Sequence, residues 1–441
     1  MVQATEVFTP NDVPTLSYVA RTSRNFERDL RNAFDIPKMV VSISGPSKSG
    51  KTVLVTKVVA PENLIHIYGA TIKTREDLWS DVIAWMGGPI ERTETEGAKI
   101  VGELAATAGG KAGIPFVAEG KANIKGGVSA DSSSSITKKY STTALDDIVR
   151  EIGGSDYVVF VDDFHYIDRN VQEEIGKQIK AAAEKGIRIC TASVPHRSDD
   201  VVRSNPELRG RVTAIDMNYW TDDELEQIAF RGFRELNVDL APAVIRTLAN
   251  EAFGSPQLMQ AMCLNLCFEQ AIKGQLETHQ RIEIDSGALR QIFERTSVTT
   301  DYSTMLSALH AGPKQRGIER KQFNFIDGTR GDVYRCVLLA IRADPPNLSF
   351  RYEDIMRHVK EVCTGESPVG SSVVESLSQM AKLAKTVQKA PVVEWDDDVL
   401  DIVEPYFLFF LRCSPHLASA SWQTFSSTRP FASVARRGRS L

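Results

Sequence analysis

Between Val40 and Val59 the chain reads VVSISGPSKSGKTVLVTKVV, a β-branched run, a turn of small residues and a second apolar run. The turn, Gly45-Pro46-Ser47-Lys48-Ser49-Gly50-Lys51-Thr52, fits G-x-x-x-x-G-K-[ST], and its flanks predict a buried strand over Val40–Ser44 and a helix beginning near Lys51. Strand, glycine-rich turn and helix in that order make a phosphate cradle. The glycines let successive N–H groups curl around an anion, and the helix directs the positive end of its dipole at the same place. Lys51 is then expected to reach the terminal phosphate oxygens and Thr52 a Mg²⁺ ion, with Pro46, Ser47, Lys48 and Ser49 supplying the rest of the loop.

A phosphate cradle needs a partner that holds the cation and a group that orients water. Tyr157 to Ile167, YVVFVDDFHYI, is an apolar strand ending in adjacent carboxylates. Asp162 is expected as the Mg²⁺ ligand and Asp163 as the water-orienting base. Downstream, GIRICTASVPHR places Thr191 and Ser193 at the end of a strand expected between the cradle and the acidic strand, where Ser193 either meets the γ-phosphate or attacking water or caps backbone. Arg203, Arg209 and Arg211 precede the last strand; Arg209 or Arg211 reaches a neighbouring subunit's γ-phosphate or serves in surface ion pairs.

Strands are expected at Val40–Ser44, Leu64–Tyr68, Tyr157–Val161, Ile187–Ala192 and Val212–Met217, alternating with helical stretches such as Thr74–Trp85, Thr143–Ile152 and Val171–Glu184. That alternation predicts an α/β fold, a P-loop NTPase parallel sheet with helices on both faces. Residues 1–218 form this expected domain, interrupted over 90–142 by an insertion rich in Gly, Ala, Ser and Lys. A helical lid is expected over 219–317, opening on a capping signal in which Thr221 precedes Glu224. Over 318–414 three helices followed by two strands have the order of a winged helix, and 415–441 reads as a flexible basic tail.

The formal charge of −5 excludes a global basic field of the kind that drives nonspecific nucleic-acid binding. Cys190, Cys263, Cys267, Cys336, Cys363 and Cys413 include no CxxC pair, which predicts buried thiols in a reducing cytoplasm. The opening MVQATEVFTPNDVP lacks a cationic segment followed by an apolar one, and no apolar run approaches the roughly 18 residues of a membrane span. A cytoplasmic protein without a membrane partner is expected.

With these motifs in order, residues 15 to 415 resemble the AAA+ and STAND class of P-loop ATPases, in the branch that includes archaeal-type ATPases and origin-recognition-like initiators. SYVARTSRNFERDL is similar to the opening motif of that class, usually Val-Gly-Arg-Glu; Ala20 stands for the glycine and Thr22 for the acid. The resemblance implies adenine contacts by Tyr18 and Val19. EAFGSPQLMQAMCLNLC resembles the Gly-x-Pro motif of the STAND lid, which implies Pro256 near adenine or phosphates; Gln257 and Gln260 stand where initiators carry an arginine. DIVEPYFLFFLR resembles the end of the winged helix that follows such lids.

The resemblance implies an ATPase that takes ATP and Mg²⁺, hydrolyses ATP slowly to ADP and phosphate in a homo-oligomer, and works as a conformational switch, with a bacterial defence or signalling setting. No sensor repeats follow within the chain, so a separate effector protein is the expected partner. The competing reading is a DNA-loading ATPase of the initiator, clamp-loader or transposition-regulator kind, supported by Lys111, Lys121, Lys125, Lys138 and Lys139 and by Arg429, Arg436, Arg437 and Arg439. Against it, the expected recognition helix Ser371–Lys385 opens on Ser371, Ser372 and Glu375, and the hairpin tip is Asp396-Asp397-Asp398. A small-molecule kinase shares the cradle but shows no acceptor pocket in the sequence.

Overall fold

The computed structural model describes residues 1–21, 24–87, 143–194, 208–313, 320–388 and 392–417. The expected insertion at 90–142, Arg203 and the tail beyond 417 lie outside the described residues. The chain divides into two units, one formed by Ala20–Asn218 and the other by Met1–Val19 with Tyr219–Leu441.

The first unit is built on five parallel strands, β1 (Val40–Ser44), β2 (Leu64–Tyr68), β3 (Val158–Asp162), β4 (Arg188–Ser193) and β5 (Val212–Asp216), in the order β2-β3-β4-β1-β5. Every residue of β1 and β3 is buried, as expected of parallel strands covered on both faces. Side-chain alternation splits the core in two. Val41, Ile43, Val158 and Phe160 meet helices Phe26–Asp35 and Lys51–Val58 on one face. Val40, Val159 and Val161 meet helices Asp77–Trp85, Thr143–Ile152 and Arg169–Glu184 on the other.

Strand order is what positions the chemistry. β4 lies between β1 and β3, so the cradle at the end of β1 and the acids at the end of β3 share one edge of the sheet. β3 begins and ends one residue later than expected, which takes Asp162 into the ladder opposite Tyr68.

The second unit differs from the expected division in two respects. Residues 1–19, assigned by sequence to the ATPase domain, belong here instead. Ala4 and Val7 of the short helix Ala4–Val7 are buried, Phe8 packs on Phe233 with ring centroids 4.9 Å apart, and Gln3 bridges Gly274. Gly232 makes this packing feasible, because a Cβ there would stand 2.2 Å from the Phe8 ring. Second, the segments expected as a separate lid and third domain share one continuous core. Phe293 meets Phe409, Tyr302 meets Phe407, and Arg412 on helix Pro405–Cys413 bonds both oxygens of Glu251 at 2.7 and 3.0 Å.

Helix Asp222–Glu235 opens as its sequence predicts: Glu224 N donates to the Thr221 hydroxyl and Thr221 N to the Glu224 carboxylate. Further on come helix Val333–Arg342, strand Ser349–Arg351, helices Tyr352–Val362 and Gly370–Val387, and the hairpin Val393–Asp396/Val399–Ile402. The three strands form an antiparallel sheet with Val399–Ile402 in the middle. Asp397 and Asp398 both take left-handed φ values, 47° and 59°, as a tight two-residue hairpin turn demands. All six cysteines are free and buried. No helix among the described residues is long and apolar enough to cross a membrane.

Candidate functional site

The loop after β1 is shaped by its backbone. Gly45 N donates to Ser193 O at 3.2 Å, and a Cβ on Gly45 would stand 2.8 Å from the Met217 Cβ, so only glycine fits between. Gly50 has open space around it but a φ of 94°, which makes its requirement conformational. Lys48 takes a left-handed φ of 62° without being glycine, a strained choice at the head of the loop. Helix Lys51–Val58 follows at once, leaving the N–H groups of its first turn directed into the loop.

Lys51 is buried to 7% exposure, and its ammonium donates to Gly45 O at 2.8 Å and Pro46 O at 2.9 Å. The loop thus closes on its own lysine, and an anion in the cradle would compete with these carbonyls for the charge. Thr52 Oγ1 donates to Asp162 Oδ2 at 2.6 Å, joining the cradle to the acidic strand across 110 residues of sequence. The other Asp162 oxygen accepts the Asp163 N–H at 2.9 Å.

The adjacent carboxylates are pushed apart. Burial raises the Asp162 pKa, but the polar contacts with His66, Thr52 and the Asp163 N–H together outweigh it and leave the carboxyl below its ordinary value. Asp163 moves up, first through burial and then through the Asp162 charge, against the opposing pull of Lys51 and Lys48. One acid is held ionised beside a hydroxyl, while its neighbour has a raised proton affinity of the sort general bases show. Thr52 and Asp162 fit a small hard cation, since a hydroxyl and an ionised carboxylate oxygen already converge; bound there, Mg²⁺ would neutralise phosphate charge.

Ser193 is buried at the end of β4, in register with Ser44, on the same sheet edge as the cradle and the acids. Arg211 sits at the opposite edge: its carbonyl accepts the Val40 N–H at 2.9 Å, a strand's length of about 16 Å from the loop. Its guanidinium pairs with Glu184 at 2.6 Å, whereas Arg209 is exposed. From that edge Arg211 cannot serve the cradle of its own chain.

Tyr18, Val19 and Pro256 belong to the second unit. Val19 is buried in its core, the Tyr18 carbonyl accepts from Arg231 at 2.7 Å, and Pro256 opens helix Pro256–Glu269 behind the capping Ser255. Gln257 and Gln260 bind the N-terminal segment: Gln260 Nε2 donates to Ser17 at 2.9 Å, and Gln257 to Asn11 at 3.2 Å.

Two residues at the acidic edge escaped sequence reasoning. His66 on β2 reaches Asp162 Oδ2 with Nε2 at 3.3 Å. Gly69, just past β2, passes so close to the acids that a Cβ would stand 2.4 Å from Asp163 O. The signal for His66 was its polarity inside the apolar run LIHIY; Gly69 carried none.

Strand order, loop and acidic strand define a P-loop NTPase fold with the loop and the paired acids at the carboxyl edge of the sheet. No family model matches the chain, and no curated protein matches it. Among solved structures, it is similar to a Walker-type ATPase of Pyrococcus abyssi at 14% identity and a TM-score of 0.46, over 90% of this chain and all (100%) of that one. Cdc6p from Pyrobaculum aerophilum matches at 13% identity and a TM-score of 0.41, over 96% of this chain and 100% of its own. The Orc1 protein of Aeropyrum pernix, solved in complex with DNA, matches at 11% identity and a TM-score of 0.46, over 95% and 98%. The fold assignment rests on this chain's own strand order and motif.

Proposed function

We propose that this chain is an AAA+/STAND-type switch that binds Mg·ATP, hydrolyses it slowly to ADP and phosphate, and changes conformation and assembly with the bound nucleotide. The observation that carries the reading is the 2.6 Å contact between Thr52 and Asp162, which brings the hydroxyl of a phosphate loop onto the carboxylate of an acidic strand. Lys51 leaves its two carbonyls for the β- and γ-phosphates, Asp163 orients the attacking water, and Ser193 stands between loop and acids. Tyr18, Val19 and Pro256 contribute to the adenine side. A homo-oligomer, with Arg209 or Arg211 supplied to a neighbour, completes hydrolysis, and a separate effector protein receives the change. Nucleotide drives the switch only through its different affinity for the two conformations.

Measuring ATP turnover per subunit against protein concentration tests the assembly. Turnover is expected to rise with concentration, and Arg209→Ala or Arg211→Ala to lower it by about 10³-fold or more at unchanged ATP affinity. Concentration-independent turnover by a demonstrated monomer would sink the trans arginine.

Gly69→Ala tests the acidic edge. The added methyl must displace the Asp163 backbone, and a shift of about 1 Å at a reacting group costs on the order of 100-fold in rate. Turnover is expected to fall by that order while ATP affinity stays within a few-fold, read by steady-state hydrolysis beside equilibrium binding.

The helix, strand, helix, helix and hairpin order after Asp332 supports a winged helix, proposed here as a protein-binding or conformation-holding module. Its surface does not favour DNA. Lys385, one of two lysines near the end of helix Gly370–Val387, lies 3.8 Å from Glu394, and the hairpin turn is acidic.

A further inference from the structure

His66 stands at the acidic edge, and the proposed chemistry has no use for it. It lies inside β2, directly across from Phe160 on β3, and its ring stacks on Phe160 with centroids 5.0 Å apart and an interplanar angle of 30°. Tyr68, two residues along the same face, closes on the ring at 4.5 Å. Held between two aromatic rings, the imidazole has little freedom to turn, and its Nε2 points at Asp162 Oδ2 at 3.3 Å. An ionised carboxylate can only accept, so Nε2 carries the proton.

Asp162 is therefore gripped by three donors: Thr52 and His66 on Oδ2, and the Asp163 N–H on Oδ1. The terminal torsion of an aspartate is broad when nothing holds it. Thr52 makes the shortest contact of the three, but its hydroxyl rotates and belongs to a loop that must also receive phosphate. The backbone donor fixes one oxygen, leaving His66 as the only rigid side-chain donor that fixes the other. We infer that His66 is a positioning residue of the cation site: by donating from Nε2 it holds the Asp162 carboxylate against the Thr52 hydroxyl and so sets how tightly that pair takes a divalent cation. This inference rests on the Mg·ATP reading of the cradle. Partners of this outer kind are worth about 10–100-fold in metal affinity.

The test compares ATP binding in Mg²⁺ with ATP binding in EDTA, by calorimetry, for the wild type, His66→Phe, His66→Gln and Lys51→Ala. Phenylalanine keeps the ring stack and removes the donor; glutamine restores an N–H. His66→Phe is expected to weaken binding in Mg²⁺ by about 10–100-fold and leave binding in EDTA unchanged, with His66→Gln recovering to within a few-fold of wild type. Equal affinity of His66→Phe and wild type in Mg²⁺ would overturn the inference. So would an equal loss with and without Mg²⁺, which marks a packing defect, or a glutamine no better than phenylalanine. Should the phenylalanine variant fail to fold, ¹⁵N shifts of the His66 ring in the wild type decide: a protonated Nε2 is expected, and a bare Nε2 overturns the assignment. Lys51→Ala separates the two levels. If it binds ATP like wild type under both conditions, the cradle reading itself falls and this inference with it; if it loses binding while the His66 variants do not, only the role of His66 is lost.

Discussion

Lys51→Ala is expected to abolish detectable ATP binding in a chain that still folds. The ammonium is the buried cation of the loop, 7% exposed, whereas Lys48, the other lysine of the turn, is exposed. Truncating one partner of a buried, hydrogen-bonded charge pair costs about 2–5 kcal/mol, which is at least about 30-fold in Kd. The fold should tolerate the change, because the core on this face is built by Val41, Ile43, Leu54 and Val55, and the bonds of Lys51 to Gly45 O and Pro46 O lie within one loop. Calorimetric titration with ATP, beside a melting curve within a few degrees of wild type, checks both halves. Wild-type affinity in the folded variant would remove the basis of the nucleotide site.

Asp163→Asn is expected to keep ATP bound while turnover drops by about 10²–10⁴-fold, the usual worth of a positioned general base. Asparagine preserves the shape at a residue whose φ of 52° asparagine also accepts, so the turn over Gly69 stays intact. What goes is the ability to take a proton from water. Stability supplies a second readout with a definite sign. Burial and the Asp162 charge raise the Asp163 pKa, so the folded chain holds that proton more tightly than the unfolded chain does. The stabilisation belongs to the protonated form and is lost as pH rises through the folded-state range. Near neutral pH the ionised side chain costs stability, and Asp163→Asn should melt no lower than wild type. A variant that turns over at the full rate would assign the base to another residue.

The two experiments depend on different distances in the structure. Lys51 answers to its own loop, five or six residues away in sequence, and its place follows from local pattern. Asp163 answers to Gly69 and to the chain reversal after β3, neither of which a motif describes.

The same contrast runs through the whole chain. Strand β1, the loop and the start of helix Lys51–Val58 could be read directly, as could helix Thr143–Ile152 and the cap at Thr221, because β-branching, turn glycines and capping pairs act over a few residues. The pairing of acids with cradle was legible as chemistry, since a phosphate site requires a cation site. The place of residues 1–19 was not: Val7 and Phe8 are too short an apolar run to declare a partner, and Gly232 across the second unit supplies the room. Nor was the single core after Tyr219, which depends on aromatic contacts between Tyr302 and Phe407 and between Phe293 and Phe409. His66 shows the division most plainly. By sequence it is a polar residue in an apolar strand, 96 positions from Asp162; the order β2-β3-β4-β1-β5 puts the two strands side by side and brings its ring nitrogen to the Asp162 carboxylate. Local sequence determined the phosphate loop and the acids because backbone torsion and side-chain periodicity act along the chain. Only tertiary structure decided what grips those acids, because hydrogen bonds and packing act through space, between strands that the chain visits far apart.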